Sequence, residues 1–136
     1  MSILIDTPVF LWAAGVGKLL SDGARELLDD PDTPLFFSAA SAWEIAIKWS
    51  KGRLDLPEHP ADVVRNAVAV SGMAQLPVTV KDAISVAALP FYHEDPFDRL
   101  LIAQAKNNRL RLMTAAPIME KYDVDVIALW LDDEDE

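Results

Sequence analysis

The amino-acid sequence predicts an α/β fold with a central, mainly parallel β-sheet that is covered by helices on both faces. Short runs of consecutive apolar residues alternate with amphipathic segments along the whole chain. Strands that are buried on both faces read as continuous apolar runs, whereas covering helices carry apolar residues every three or four positions. A regular alternation of these two patterns is typical of parallel sheets joined by helical crossovers. The chain has 136 residues, enough for one domain with a substantial core.

The individual elements follow from where these patterns begin and end. We predict strands over residues 2–5, 35–37, 73–78, 110–114 and 124–129. We predict helices over residues 8–14, 21–30, 43–49, 61–71, 80–89 and 96–107, and a helical turn over 117–122. Pro77 weakens the third strand because it lacks a backbone N–H group.

Residues suited to helix ends support these boundaries. Thr7 is the expected cap of the first helix, and Pro8 suits its first turn. Asp95 and Pro96 have the same roles in the last long helix, and Gly52 ends the third helix.

Charge and composition narrow the function classes. The net charge is −10, and about half of it comes from the acidic residues 132–136. We expect one domain over residues 1–131 and a solvated acidic tail over residues 132–136. An acidic body disfavours simple basic-patch binding of nucleic acid. A divalent cation between carboxylates and phosphates would still permit such binding.

The chain contains no cysteine, and no apolar run approaches the length of a membrane span. A disulfide framework and a thiolate metal site are therefore excluded. The sequence begins with a short apolar segment rather than with a basic region and a signal-type hydrophobic stretch. We expect a cytoplasmic protein that does not enter a membrane.

The segment over residues 93–105 has the most informative pattern. Asp98 is followed at helical spacing by Leu101, Ile102 and Ala105, so its carboxylate lies on the apolar, inward face. A buried charge is unfavourable unless a partner compensates for it. The alternative is that Asp98 bonds the free N–H groups of the first helical turn.

Two further carboxylates occupy similar positions. Asp6 ends the first strand, and Glu44 lies just inside the helix after the second strand. Strand ends and helix starts lie at the same edge of a parallel sheet, so both acids can meet Asp98 there. Each also has a structural interpretation: Asp6 as a carboxylate near a helix start, and Glu44 in a capping box with Ser41 or an ion pair with Lys48.

A cluster of carboxylates predicts a particular chemistry. The charges repel one another unless a proton or a cation neutralises them. Hard oxygen ligands without His or Cys suit Mg²⁺ or Mn²⁺. Such an ion supports hydrolysis of a phosphodiester.

Several motifs together identify a family. The segments at residues 4–7, 38–48, 76–78, 93–105 and 113–115 include Leu-Ile-Asp-Thr, Ala-Trp-Glu-Ile and Asp-Pro-Phe-Asp-Arg. Their order and spacing extend over nearly the whole chain apart from the acidic tail. In this combination the sequence resembles the PIN-domain proteins of the VapC toxin type.

The resemblance implies a three-layer α/β/α sandwich and an Mg²⁺- or Mn²⁺-dependent endoribonuclease of a type II toxin–antitoxin pair. It also implies a homodimer that a cognate antitoxin holds inactive. By the same resemblance, Asp6 and Asp98 bind the metal. Glu44 completes the catalytic group by holding a second ion or the nucleophilic water.

The chain departs from the family pattern at two positions. It has Pro8 where members usually have His, and Ala116 where the pattern Thr-Ala-Asp places a fourth acidic residue. The resemblance implies that loss of that carboxylate weakens metal binding and leaves this form weakened or inactive. The alternative function is an inactive PIN-fold module that holds an antitoxin or RNA. An aspartate-phosphorylating phosphatase is disfavoured because Pro8 occupies the position of its second Asp.

Other residues receive less specific predictions. We expect His93 to make a loop hydrogen bond, and Arg99 to contact either an RNA phosphate or a surface acid. We interpret the tryptophans at helical positions as core or interface residues, namely Trp12, Trp43 and Trp49. Val9, Phe10 and Trp12 are expected to offer an apolar surface to a partner.

Overall fold

The computed structural model describes residues 2–129. Its strands are β1 Ile3–Ile5, β2 Leu35–Ser38, β3 Ala74–Leu76, β4 Arg111–Thr114 and β5 Val126–Ala128. Its α-helices are α1 Thr7–Ala13, α2 Asp22–Asp29, α3 Ala39–Ser50, α4 Pro60–Ser71, α5 Val80–Ser85 and α6 Pro96–Asn108. Two 3₁₀ helices cover Val86–Ala88 and Pro117–Lys121.

The five strands form one parallel sheet with the order β3-β2-β1-β4-β5. The chain moves outward from β1 through β2 to β3 and then returns to add β4 on the other side of β1. The strand order therefore reverses between β1 and β4, and such a switch point is where open α/β sheets bind ligands. The predicted parallel sheet is confirmed.

Apolar residues cover both faces of the sheet. Ile3 and Ile5 belong to one core cluster and Leu4 to another, because successive side chains of a strand point to opposite faces. The first cluster includes Val9, Phe10, Leu28, Phe37, Ile45 and Met73. The second includes Leu101, Ile102, Ala105, Leu112, Met119 and Tyr122. A sheet between two helical layers is the predicted three-layer sandwich.

The caps of two helices differ from the prediction. Asp6, not Thr7, caps α1, and its carboxylate accepts a hydrogen bond from the Val9 N–H at 3.0 Å. Helix α3 begins at Ala39 with Ser38 as its cap, so the capping box predicted for Ser41 is wrong. Ser41 instead accepts a hydrogen bond at 2.9 Å from Thr7, a residue far away in the sequence.

Three other predictions change in detail. The helix predicted over 80–89 divides into α5 and the 3₁₀ helix Val86–Ala88. The third strand shrinks to Ala74–Leu76, since Pro77 cannot extend the ladder. Val9 and Phe10 are fully buried, so they offer no surface to a partner.

Within residues 2–129, no helix is long and apolar enough to cross a membrane. The predicted acidic tail over 132–136 lies outside the described residues. The domain boundary at residue 131 therefore stays a prediction.

Candidate active site

Asp6 lies at the switch point of the sheet. Its N–H donates to the Met113 carbonyl at 3.1 Å, which continues the pairing of β1 and β4 by one residue. Its side chain is only 2 % exposed and caps α1 through the bond from Val9. The end of a central strand and the start of a helix thus hold one carboxylate inside the protein.

Glu44 lies in the second turn of α3, and its side chain is buried. With the capping box absent, the side chain is not used to cap its own helix. It pairs with Lys48 one turn later, as the sequence predicted. Lys48 is half-exposed, so the pair connects the buried carboxylate to the surface of the protein.

Asp98 lies in the first turn of α6, and its surroundings decide between its two interpretations. Asp95 accepts hydrogen bonds from the N–H groups of Phe97 and Asp98 at 2.9 and 3.1 Å, so the cap is Asp95 as predicted. The carboxylate of Asp98 is bonded instead to Nε2 of His93 at 3.1 Å. The capping interpretation of Asp98 is therefore wrong.

The three carboxylates influence one another electrostatically. Burial raises the pKa of Asp6 to about 7; hydrogen bonds from Thr114 and Val9 oppose the rise, and the charges of Asp98 and Glu44 add to it. Burial also raises the pKa of Asp98, as do the charges of Asp95 and Glu44, against the lowering effect of His93. Proximity of like charges without a cation is unfavourable, and this is the situation that a bound cation would relieve.

The described residues do not form a closed protein cage for a metal ion. Among the described residues, no group of three or more Asp, Glu or His side chains could hold a metal ion by itself. Mg²⁺ retains several waters and usually takes one or two carboxylates from the protein. Asp6 and Asp98 are the two carboxylates that could act in this way.

Ala116 follows β4 and precedes the 3₁₀ helix Pro117–Lys121. Its N–H donates to the hydroxyl of Thr114 at 3.1 Å, and its side chain packs against the second core cluster. Thr114 also hydrogen-bonds Asp6, so Ala116 lies two residues from a direct neighbour of the pocket. At this position the chain presents a methyl group.

Sequence reasoning missed the role of Arg99. Its side chain is 4 % exposed, and its guanidinium donates to the Pro90 carbonyl at 2.8 Å and to the Tyr122 hydroxyl at 3.2 Å. Both predictions for Arg99, an RNA phosphate contact and a surface ion pair, are wrong. His93, in the loop before α6, makes two hydrogen bonds. Its Nε2 bonds Asp98, and its Nδ1 lies 2.7 Å from the hydroxyl of Tyr122.

The tryptophans lie in three different environments. Trp12 is half-buried and packs against the first core cluster. Trp43 is 61 % exposed and meets the ring of Phe97 edge-to-face at 5.4 Å between centroids. Trp49 is also partly exposed and contacts His59. Trp43 is therefore not a core residue.

A cleft of about 300 Å³ adjoins Glu44. Thr7 and Glu44 lie on its wall with two cationic side chains, Lys48 and Arg53. Apolar residues complete it, among them Leu11, Trp12, Val16 and Leu54. In this acidic chain, the cleft brings positive charge beside the Glu44 carboxylate.

The fold and the site together define an α/β protein with a group of electrostatically coupled carboxylates near the carboxyl ends of its central strands. The model of the PIN-domain family matches residues 3–124, and the chain therefore belongs to the PIN-domain family. The resemblance seen in the sequence motifs is confirmed. No curated protein sequence matches the chain.

Solved structures share the fold at low sequence identity. VapBC2 from Rickettsia felis, bound to a DNA fragment from their promoter, matches with a TM-score of 0.71 and 12 % identity over 94 % of this chain and 98 % of the other. FitAcB from Neisseria gonorrhoeae matches with a TM-score of 0.64 and 19 % sequence identity, again over 94 % of this chain and 98 % of the other. VapBC-1 from nontypeable Haemophilus influenzae matches with a TM-score of 0.61 and 13 % sequence identity, over 96 % of this chain and 99 % of the other.

Proposed function

We propose that this protein is a VapC-type endoribonuclease toxin that cleaves RNA phosphodiesters with Mg²⁺ or Mn²⁺. The observation that carries the proposal is the placement of three largely buried carboxylates, those of Asp6, Glu44 and Asp98, close enough for the charges of Asp98 and Glu44 to act on Asp6. These acids are far apart in the sequence, and the fold brings them into electrostatic contact. Membership of the PIN-domain family supports a nuclease, because PIN domains are generally dependent on divalent metals.

In this function Asp6 and Asp98 hold the metal ion, and Glu44 completes the acidic pocket by holding a second ion or the nucleophilic water. When bound, the ion supplies Lewis-acid stabilisation of the negative charge that develops on the phosphodiester. The His93 bond to Asp98 and the Val9 bond to Asp6 orient the two ligands. Burial excludes bulk water from Asp6 and strengthens its interaction with a cation.

The cleft beside Glu44 offers a path for the RNA strand. Lys48 and Arg53 line it, and both can contact phosphate oxygens. Lys51 is exposed on the same helix end and extends the positive charge. These few cationic side chains, together with the metal ion, compensate locally for the net charge of −10.

We further propose a homodimer that acts in the cytoplasm and is held inactive by a cognate antitoxin. The shared fold with VapBC and FitAB structures supports the antitoxin partner. A short neighbouring reading frame that encodes an antitoxin-like protein would agree with it. Size-exclusion chromatography with light scattering, with and without that protein, measures both associations.

We propose that Ala116 leaves this form with weakened activity, because a fourth carboxylate would have joined the pocket at that position. The test is RNA cleavage at high Mn²⁺ by this sequence and by Ala116→Asp, together with growth arrest on expression. We expect Ala116→Asp to cleave faster and to arrest growth more strongly. Glu120→Gln, which removes one exposed charge, is the control and should change neither result.

The Ala116 position also favours a second candidate, an inactive module that holds an antitoxin or RNA. It predicts tight partner binding and no cleavage by this sequence at any Mn²⁺ concentration. Measurable cleavage that disappears on Asp98→Asn would exclude the binding module. If Ala116→Asp neither cleaves RNA nor binds Mn²⁺, the nuclease proposal is wrong.

A further inference from the structure

Arg99 begins a line of hydrogen-bonded polar groups, buried at Arg99 and Tyr122 and partly buried at His93, that ends at the candidate metal ligand Asp98. The guanidinium is anchored by backbone carbonyls of one turn, those of Val86, Leu89 and Pro90, at 3.3, 3.4 and 2.8 Å. These partners are uncharged, and the ring of Phe91 lies 4.0 Å from the guanidinium carbon. A buried guanidinium is retained only where its hydrogen bonds are satisfied, and here they fix it in one position.

Tyr122 connects this arginine to His93. Its hydroxyl is 3.2 Å from the Arg99 guanidinium and 2.7 Å from Nδ1 of His93. A guanidinium can only donate, so the phenol oxygen accepts from Arg99 and its hydrogen remains available for His93. The adjacent positive charge polarises the phenol and strengthens this second bond.

His93 passes the interaction to Asp98. Its Nε2 lies 3.1 Å from Oδ2 of Asp98. When Asp98 is ionised, as a metal ligand must be, its carboxylate only accepts; Nε2 then carries the hydrogen, and in a neutral ring Nδ1 is the acceptor. Every donor therefore points the same way, from the guanidinium through the phenol and the imidazole to the carboxylate.

We propose that Arg99, Tyr122 and His93 are positioning residues that hold the Asp98 carboxylate for a divalent cation. The inference rests on the proposed function, in which Asp98 is a metal ligand. The chain of bonds engages Oδ2 and thereby fixes the orientation of the carboxylate. Polar partners that orient a metal ligand commonly change metal affinity by about 10- to 100-fold when they are removed.

The members of this chain come from separate parts of the fold. His93 lies in the loop before α6, Arg99 is in α6, and Tyr122 follows the 3₁₀ helix Pro117–Lys121. A cross-link between these segments could also serve stability alone. The experiment must therefore measure metal binding by folded protein, separately from unfolding.

The binding experiment uses Mn²⁺ and the Ala116→Asp background, with the unaltered chain alongside. We expect Tyr122→Phe and His93→Leu to weaken Mn²⁺ binding by about 10- to 100-fold. We expect His93→Gln to retain most of the affinity, because its amide N–H can replace Nε2–H. Tyr92→Phe is the matched control, since the Tyr92 ring contacts Tyr122 edge-to-face and its hydroxyl lies outside the chain of bonds. It should bind Mn²⁺ normally.

A second measurement does not depend on metal. The chain contains two histidines, so their ¹⁵N resonances can be separated with a His59→Gln variant. We expect His93 to be protonated at Nε2 and to accept at Nδ1, and Tyr122→Phe to shift the Nδ1 resonance. A His93 ring protonated at Nδ1 alone would overturn the proposal.

The remaining outcomes separate this inference from the proposed function. If Asp98→Asn binds Mn²⁺ as well as its parent, or if neither background binds Mn²⁺, the metal site is wrong and the inference fails with it. If Mn²⁺ binding requires Asp98, but Tyr122→Phe and His93→Leu bind Mn²⁺ normally and only unfold at a lower temperature, the metal site stands. In that case only the positioning role of Tyr122 and His93 is wrong. The chain of bonds would then be structural.

Discussion

Asp6 at the start of α1 and Asp82 at the start of α5 are both almost fully buried, yet the pKa values of their carboxyl groups shift in opposite directions. Burial alone would raise the pKa of Asp82. Hydrogen bonds from the Asn107 amide and from the backbone and hydroxyl of Thr79 outweigh that effect and lower it. For Asp6, the bonds from Thr114 and Val9 do not outweigh burial.

The difference lies mainly in how far hydrogen bonds offset the effect of burial at each carboxylate, and the neighbouring charges make a smaller contribution. Asp82 completes a capping box with Thr79 and receives the Asn107 amide at 2.9 Å, so its charge is satisfied inside the fold. Asp6 meets the charges of Asp98 and Glu44. A carboxylate satisfied by its own fold contributes to stability, whereas one that repels its neighbours is available to an external cation.

The largest effect should separate the two aspartates by activity. In the Ala116→Asp background, we expect Asp6→Asn to reduce the rate of RNA cleavage by about 100-fold or more, because a metal ligand contributes at least as much as its supporting partners. Asp82→Asn should leave the rate per folded molecule unchanged. Initial rates at saturating Mn²⁺ measure the effect, and equal losses in both variants would remove the distinction.

The second-largest effect concerns the free energy of unfolding, and here the Asp82 substitution should have the larger effect and the Asp6 substitution the smaller one. Asp82→Ala should lower the free energy of unfolding by about 1–3 kcal/mol, because the Asn107 amide and the Thr79 N–H lose their acceptor. Asp6→Asn should not destabilise the metal-free protein at pH 8. Asn still caps α1 and no longer repels Asp98. Urea denaturation with a chelator measures both, and a marked loss for Asp6→Asn would contradict the comparison.

The pH dependence of stability should follow from Asp6. Its pKa rises from 3.8 to about 7 in the folded protein, so the folded state keeps a proton that the unfolded chain has lost. This contribution to stability is complete below about pH 3.8 and is lost as the pH rises to about 7. The slope approaches ~1.4 kcal/mol per pH unit at most, and the raised pKa of Asp98 acts in the same direction.

We therefore expect the metal-free protein to be more stable at pH 5.5 than at pH 8. Asp6→Asn should flatten this dependence, and Mn²⁺ should stabilise the unaltered pocket chiefly at the higher pH, where the carboxylates are ionised. Thermal unfolding across this range is the measurement. A stability that rises steadily from pH 5.5 to pH 8 without metal would show that Asp6 is already ionised in the fold.

The smallest effect should come from the edge of the pocket. Lys48 is half-exposed and pairs with Glu44 across one helical turn. Such pairs contribute about 0.3–0.5 kcal/mol, so Lys48→Gln should barely change the free energy of unfolding. Lys81→Gln, at an exposed residue of α5, is a control for loss of a positive charge. A loss well above 1 kcal/mol for Lys48→Gln alone would mean that the pair is effectively buried.

Local hydrogen bonds were predictable where the partners are close in sequence. Asp95 caps α6 as expected, because the N–H groups that donate to its carboxylate lie within three residues of it. The capping box expected at Ser41 does not form, because Ser38 at the end of β2 caps the helix three residues earlier. A local motif is thus only one candidate when a strand end can supply the same cap.

Long-range contacts were not predictable in this way. Arg99 is followed by apolar residues at ordinary helical spacing, and no local pattern indicates that residues 86–90 and Tyr122 will supply its acceptors. The same applies to Thr114, which bonds Asp6 from a different strand. These contacts depend on the parallel order of β1 and β4 and on the packing of α6 against the sheet.

The sequence alone determined that strands and helices alternate and that Asp6, Glu44 and Asp98 stand where strands end or helices begin. Both properties depend on periodicity and on residues only a few positions apart. The tertiary structure decided that Asp98 bonds His93 and that Asp6 is buried among like charges. Desolvation and charge proximity are properties of the packed chain, because segments that are distant in sequence create them.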